Sequence, residues 1–426
     1  MFDKELSLRI FSKLDNRYKK RLSNKKLAKI KEQNDKFNKY VDNVDLSEVR
    51  KTGLDKDRLD KIKRRTRNNE LIASYYNRYA QDTGFDRYYR KADRVDSCCS
   101  LYDVDVYSLS KIKDVKRTNL CEDRFCDNCQ ANRAKNREDK FTPLLDKLSL
   151  VYDLYHVVFT VPNVHGELLK NTLNRMFSKF TYLVRLLCCN VKIKGIDFSK
   201  YGFKGAIRAL EITRNESDKK LHPHFHCILV CQKGLKLDKI NKYHKNEYSF
   251  NTKDNGQKNK PKIYYFSDFE ILLQKLWRLL IDGIQVNKQN IDTLSIGYDV
   301  YLNNARGKYH QIFKYATKGL FKNSDSATNC YDEFVYLLEA LEKRHIIQGY
   351  GIFHGFKLDA PEEFESDKVY ENTISYLRGI EEPVRVYEYF ENVLANVNKG
   401  YTYISRSSMK KIFDLDEDDE TKNLVK

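Results

Sequence analysis

Three of the nine histidines fall within five residues, in His222-Pro223-His224-Phe225-His226. In an extended strand alternate side chains share a face, so His224 and His226 project together while Phe225 faces the other way. Two imidazoles at that spacing can hold one divalent ion, with His222 as a further imidazole nearby. The preceding strand-like stretch GAIRALEITRN (Gly205 to Asn215) carries Glu211 and leads through the polar turn ESDKK into HPHFHCILVC (His222 to Cys231). An antiparallel hairpin of the two can set Glu211 across from either histidine on the same face. Two histidines and a carboxylate with open positions suit an ion that touches a phosphate oxygen. The bland alternative is a hydrogen-bonded core histidine, and a lone His-x-His pair is common by chance.

Five of the ten cysteines lie between Cys98 and Cys129. Cys121-x4-Cys126-x2-Cys129, with Cys98 or Cys99 upstream, offers four thiolates for a closed, structural zinc site. Such a site would hold together NLCEDRFCDNCQANRAKN, a segment with little apolar content. Its basic flank includes Arg124, Arg133, Lys135 and Arg137, of which Arg124 and Arg133 are expected to touch DNA phosphates. Cys188, Cys189, Cys227, Cys231 and Cys330 lack ligand spacing and read as core residues.

A third set of residues sits in ARGKYHQIFKYATKG, where Tyr309 and Tyr315 are interleaved with Lys308, Lys314 and Lys318. A tyrosine hydroxyl is a weak nucleophile at neutral pH, and nearby lysines and a metal-bound phosphate favour its attack. Gln311 lies one helical turn before Tyr315. Its amide can position water or phosphate but cannot act as an acid or base. With 30 tyrosines in the chain, Tyr315 stands out only beside the histidine pair.

The elements that must carry these residues are legible from periodicity. DLYHVVFTVPN (Asp153 to Asn163) reads as a buried strand ending at Pro-Asn. ELLKNTLNRMFSKFTYLVRLL and FEILLQKLWRLLI, with the only tryptophan (Trp277), repeat apolar residues at helical spacing. IQVNKQNIDTLSIGYDVYL is expected to be a strand region, and QKGLKLDKINKYHKNEYSFNTKDNGQKNKPK a long polar loop. Residues 1 to about 90 read as helical and rich in charge, with basic runs at Arg17 to Lys31 and Lys61 to Arg67. These serve equally well as a solvated face or a DNA contact.

The chain has 426 residues, 41% of them hydrophobic and 32% charged, and a formal net charge of +18. That composition belongs to a folded globular protein of two or three domains whose field favours polyanions. The start MFDKELSLRIF lacks the apolar core of a signal peptide, and no apolar run is long enough for a bilayer. A cytoplasmic protein without membrane contact is expected.

Taken in order, these motifs resemble those of the rolling-circle plasmid replication initiators of Gram-positive bacteria, within the His-hydrophobic-His (HUH) endonuclease superfamily. The resemblance rests on RVDSCC, CEDRFCDNC, VVFTVPNV, GAIRALEITRNESDKKLHPHFHCILV, LWRLL, FKYATKG and LLEALEKRHIIQGYGIF, from about residue 94 to 353. It implies an α+β fold with an antiparallel central sheet flanked by helices, a small zinc-binding element and a helical N-terminal region. It further implies Mg2+ or Mn2+ on Glu211, His224 and His226, and a nucleophilic Tyr315 in a Lys-Tyr-x-x-Lys helix bearing Lys314 and Lys318 against DNA. The family's first cysteine is usually followed by glycine, which favours Cys98 as the fourth thiolate with Cys99 in the glycine position. The substrate would be single-stranded DNA at a plasmid origin, with host helicase and polymerase as partners. The family commonly has glutamate four residues before its tyrosine, where this chain has Gln311; a second tyrosine such as Tyr309, or His310, would have to serve the terminating step.

On this reading residues 1–90 form the basic helical region, 91–140 the zinc-binding element, 141–357 the nicking and strand-transfer domain, and 358–426 an extension with a disordered acidic end. A single-strand transposase or relaxase uses the same chemistry. A non-catalytic, zinc-stabilised DNA-binding regulator is the alternative from another class.

Overall fold

The computed structural model describes residues 44–406 except 216–217, 236, 238–240, 245–262, 296, 306–308, 310–311, 313–329 and 356–364, with backbone alone at 139–140, 241–244, 263–264, 330 and 365–368. Helices α1 (Leu46–Lys51), α2 (Lys56–Thr83) and α3 (Arg87–Asp96) come first, followed by strands β1 (Leu101–Tyr107) and β2 (Ile112–Thr118). Next are α4 (Asp127–Val151), β3 (Tyr152–Thr160), α5 (Gly166–Leu187), β4 (Gly205–Arg214), β5 (Leu221–Gln232), β6 (Asn241–His244) and β7 (Ile263–Phe266). Helices α6 (Asp268–Asp282) and α7 (Lys288–Thr293), strand β8 (Val300–Asn304), helix α8 (Cys330–Leu341) and strand β9 (Ile347–Gly351) follow. The C-terminal part holds α9 (Glu365–Ile380), β10 (Val384–Tyr389), α10 (Phe390–Asn398) and β11 (Thr402–Ile404). The fold is therefore α+β with largely antiparallel sheets and a helical N-terminal region. Two compact units divide the described residues, one over Ala134–Lys357 and the other combining residues 44–133 with those from Leu358 onward.

The first unit is built on a five-stranded sheet of order β8-β3-β5-β4-β9, antiparallel throughout. One face of its central strands packs Phe225 and Phe159 against Phe180 of α5 and Trp277 of α6, with ring centroids 5.4 to 6.5 Å apart. Arg208 of β4 is buried in the same layer, its guanidinium 4.0 Å from the Phe177 ring, and donates to His345 O at 3.1 Å. A buried cation of this kind is tolerated because aromatic faces and carbonyls replace part of its water. The opposite face carries Ile207, Ala209, Ile228 and Val230, covered by Leu145 and Leu148 of α4 and by Tyr309 and Ile312.

Helix α6 starts on a capping box in which Ser267 N donates to Glu270 and Glu270 N donates back to Ser267 Oγ at 3.2 Å. The same buried carboxylate accepts from Leu302 N at 3.0 Å, so the cap also fastens α6 to β8. Trp277 Nε1 donates to Thr160 O at 2.7 Å, tying the helix to the end of β3.

The second unit contains a sheet of order β10-β1-β2-β11, in which only β11 runs parallel to its neighbour. Tyr102, Val104, Phe390, Val393 and Tyr403 pack with Leu59 of α2 on one face. Tyr107, Ile112, Val369, Ile374, Leu377 and Ile404 pack with Val49 on the other.

Two local expectations change. The stretch expected to be a strand region from Ile284 to Leu302 contains α7, whose first turn is capped by the Asn287 side chain accepting from Asn290 N at 2.7 Å; only its end forms β8. The polar segment after β5 contains β6, which pairs with β7 just beyond it. The basic run Arg17 to Lys31 and the acidic end lie outside the described residues. No described helix is long and apolar enough to cross a membrane.

Candidate metal centres

Strands β4 and β5 pair so that Glu211 lies directly opposite His224 and Ala209 opposite His226. Cross-strand partners project to one side, so the carboxylate and both imidazoles meet. His226 Nε2 is 2.7 Å and His224 Nε2 3.5 Å from the same Glu211 oxygen, Oε2. Cis ligands at about 2.1 Å from an octahedral ion stand about 3 Å apart. The three donors all lie within 4.8 Å of one another and so fit one cation. Burial pushes the Glu211 carboxyl up, but the hydrogen bonds to His224 and His226 outweigh it and hold the group below the usual carboxylate range. The group is therefore ready as an anionic ligand.

The outer nitrogens of the two histidines have different partners. His224 Nδ1 donates to His222 O at 3.0 Å, since a carbonyl only accepts, and this turns Nε2 toward Glu211. His226 Nδ1 faces His156 Nε2 at 3.1 Å. His222 turns to Asn163, with its Nδ1 2.7 Å from Asn163 Oδ1, and burial together with nearby His224 pushes its pKa down to about 4. It stands beside the ligand group as a neutral ring, its centroid 5.0 Å from that of His224. Phe225 is fully buried in the aromatic layer on the opposite side of the sheet.

The four cysteines of the second unit converge as well. Cys98 follows α3, Cys121 lies in the loop after β2, Cys126 immediately precedes α4, and Cys129 sits in that helix's first turn. Their sulfurs approach to 3.6 Å (Cys98–Cys129), 3.6 Å (Cys121–Cys129) and 3.4 Å (Cys98–Cys126). Tetrahedral zinc with Zn–S near 2.3 Å places sulfurs about 3.8 Å apart, so the set fits such an ion. All four are buried free thiols. Backbone amides point at the sulfurs: Glu122 N to Cys129 at 3.2 Å, Asp123 N to Cys121 at 3.4 Å, and Cys129 N to Cys126 at 3.5 Å. Cys99 stays outside the group and adopts φ 64°, the left-handed region that glycine favours.

Helices α2 and α3 hold this element. Asn69, fully buried, donates from Nδ2 to Cys126 Sγ at 3.2 Å. Tyr76 donates to Asp123, with 3.0 Å to each carboxylate oxygen, and Arg94 donates to Cys121 O at 2.7 Å. Arg133 donates to Glu122 O, so one of the two arginines expected on DNA spends a donor on the loop itself. Arg124 is half-buried, and its carbonyl accepts from Gln130 Nε2 at 2.6 Å.

Tyr315, Gln311, Lys314, Lys318 and His310 lie outside the described residues. Tyr309, offered from sequence as a second nucleophile, is a core residue at 2% exposure, packed in the cluster that covers the metal-side face of the sheet. Sequence reasoning missed His156, Asn163 and Asn69. His156 and Asn163 are polar in a segment read as a buried strand, and Asn69 lies in a helical region read for its charge.

A family model described as a replication protein matches residues 112–247, which hold three of the four cysteines, Glu211 and the histidine pair. A "Protein rep" of Bacillus amyloliquefaciens is 27% identical over 186 residues, 43% of this chain and 51% of that protein. A second, from a Bacillus species, is 26% identical over 165 residues, 38% of this chain and 50% of that protein. A third, from Staphylococcus aureus, is 21% identical over 183 residues, 42% of this chain and 72% of that protein. The chain thus spans about half the length of the first two relatives it matches. No solved structure matches it. The recognition made from motif order holds: this chain is similar to the Rep replication proteins of Gram-positive bacteria, and the family match covers Glu211, the histidine pair and three of the four cysteines.

Proposed function

We infer that the chain is a plasmid rolling-circle replication initiator with an HUH-type nicking domain, acting in the cytoplasm on single-stranded DNA at an origin. The observation that carries this reading is the meeting of Glu211, His224 and His226 around one point, inside the segment that resembles replication proteins. Mg2+ or Mn2+ bound there would polarise a phosphate oxygen of the scissile link. Glu211, His224 and His226 would hold the ion, and the substrate phosphate would complete its ligands. The Tyr315 oxygen attacks phosphorus, the bond from phosphorus to the 3′ oxygen breaks, and the tyrosine proton ends on that oxygen. The products are a 5′-phosphotyrosine and a free 3′-OH that can prime a host polymerase, with a host helicase opening the duplex. Tyr315 enters by resemblance; Ile312, three residues before it, packs in the cluster covering the metal-side face of the sheet.

The zinc element and the basic helices make the second unit the DNA-contacting part. Lys61, Lys63, Arg64 and Arg67 of α2 are exposed and precede Asn68 and Asn69, which bind Asp127 and Cys126 at the zinc loop. Arg124, Arg133, Lys314 and Lys318 are the further phosphate contacts of this reading. Gln311 supports a second reading, a DNA-binding regulator that does not cleave, because an amide cannot serve as the acid or base of a hydrolytic step.

The deciding experiment incubates the protein with single-stranded oligonucleotides from either strand of its replicon's origin in Mn2+. A covalent protein–DNA adduct that disappears in Tyr315→Phe is expected. Binding without an adduct on any strand favours the regulator, and an adduct that persists in Tyr315→Phe moves the nucleophile elsewhere.

A further inference from the structure

His156 lies on β3 two residues from Val158, the cross-strand partner of His226, and so sits diagonally across from that histidine on the same face. The two rings are nearly parallel, 13° apart with centroids at 5.2 Å, and His156 is 9% exposed. Their facing nitrogens, His156 Nε2 and His226 Nδ1, are 3.1 Å apart, a hydrogen bond in which one ring donates and the other accepts.

The direction of that bond decides what His226 offers Glu211. When His156 donates, His226 accepts at Nδ1 and carries its own proton on Nε2, which donates to Glu211 at 2.7 Å. That arrangement is closed to a cation. When His226 donates from Nδ1, its Nε2 is bare and can ligate, and His156 carries its proton on Nδ1. Between the two states one proton leaves His226 Nε2, one crosses from His156 to His226, and one arrives at His156 Nδ1. Each ring carries one proton in either state. His224 has no such choice, because its Nδ1 faces a carbonyl.

We propose that His156 is a positioning residue that fixes the ring of His226 and sets its tautomer for metal binding. The inference rests on the reading of Glu211, His224 and His226 as a metal site. Outer partners of ligating histidines change metal affinity by about 10- to 100-fold.

The test compares Mn2+ binding by calorimetry for the full chain, His156→Phe and His156→Gln, with zinc content and thermal midpoint as folding controls. Phe keeps the ring and loses the nitrogen, and an affinity loss of about 10- to 100-fold is expected. Gln offers a carbonyl oxygen to His226 Nδ1 and should stay within a few-fold of the parent. Equal affinity in all three, or an equal loss in both variants, overturns the proposal. In the parent chain, 15N shifts should show His226 protonated at Nδ1 once Mg2+ is bound; an unprotonated Nδ1 also overturns it, whatever the variants do. A parent chain that takes up neither ion overturns the metal site itself, and this inference with it.

Discussion

Asn69, a residue of α2, donates to Cys126 Sγ at 3.2 Å while its Oδ1 accepts from the Asp127 amide at 3.1 Å. One buried amide thus contacts a thiol of the four-cysteine group and caps the first turn of α4. Asn69→Leu keeps the volume and removes both bonds, leaving the Asp127 amide without its acceptor. A stability loss of about 1–3 kcal/mol and faster zinc release to a chelator are expected. Denaturant unfolding and a zinc-dye release assay measure the two effects, and unchanged release would separate Asn69 from the metal.

Zinc removal should unravel the segment around Cys121 to Cys129, because Phe125 is its only large buried apolar side chain. Purified protein is expected to carry about one zinc per chain, and Cys126→Ser to lose it. Limited proteolysis after chelation should cut first within residues 119–133. Protein isolated without zinc and equally resistant to protease would remove the metal from this element.

Glu211→Gln replaces the one anionic donor between His224 and His226 with a neutral amide. Mn2+ binding should weaken by at least about tenfold, with zinc content unchanged, because the two ligand groups share no residue. Calorimetry beside metal analysis distinguishes this from general misfolding, which would lower both.

Asp299 is pushed up to about 7 by burial, above its ordinary value of 3.8. A raised acid opposes folding once ionised: the penalty is absent below pH 4, grows between 4 and 7, and is constant above. Asp299→Asn should therefore stabilise the protein at pH 8, by at most about 4 kcal/mol, and leave it nearly unchanged at pH 4. Equal gains at both pH values would show that ionisation is not the cause.

Phe225→Ala should cost about 3–5 kcal/mol, since the ring is fully buried among Phe177, Phe180 and Trp277. Mn2+ affinity should fall with it, as the cavity loosens the strand carrying both histidines. A measured loss below about 1 kcal/mol would mean that this layer repacks freely.

The parts of the site legible in the sequence are those governed by local periodicity. Glu211, His224 and His226 sit on two strands joined by a short turn, and the two-residue strand period alone brings them to one face. Cys121, Cys126 and Cys129 are close in sequence, so their ligand spacing is legible too. His156 stands 70 residues before its partner and Asn69 57 before its own, so only the folded sheet and helix contacts reveal them. The joining of β10 and β11 to β1 and β2 has the same character, being a pairing of residues 278 to 290 apart in sequence. Helix α7 is hidden because a six-residue helix, set by the Asn287 cap, has too little apolar pattern to announce itself.

The buried Phe225 between His224 and His226 has a consequence for register. A one-residue slip of β5 would send the phenyl ring to the metal side and both imidazoles into the aromatic layer of Phe159, Phe180 and Trp277. Neither side would tolerate its new occupant, since that layer offers the imidazoles an almost wholly apolar setting. The middle residue therefore acts as a lock on strand alignment: a chain that has packed its core correctly has, in the same step, aimed its ligands.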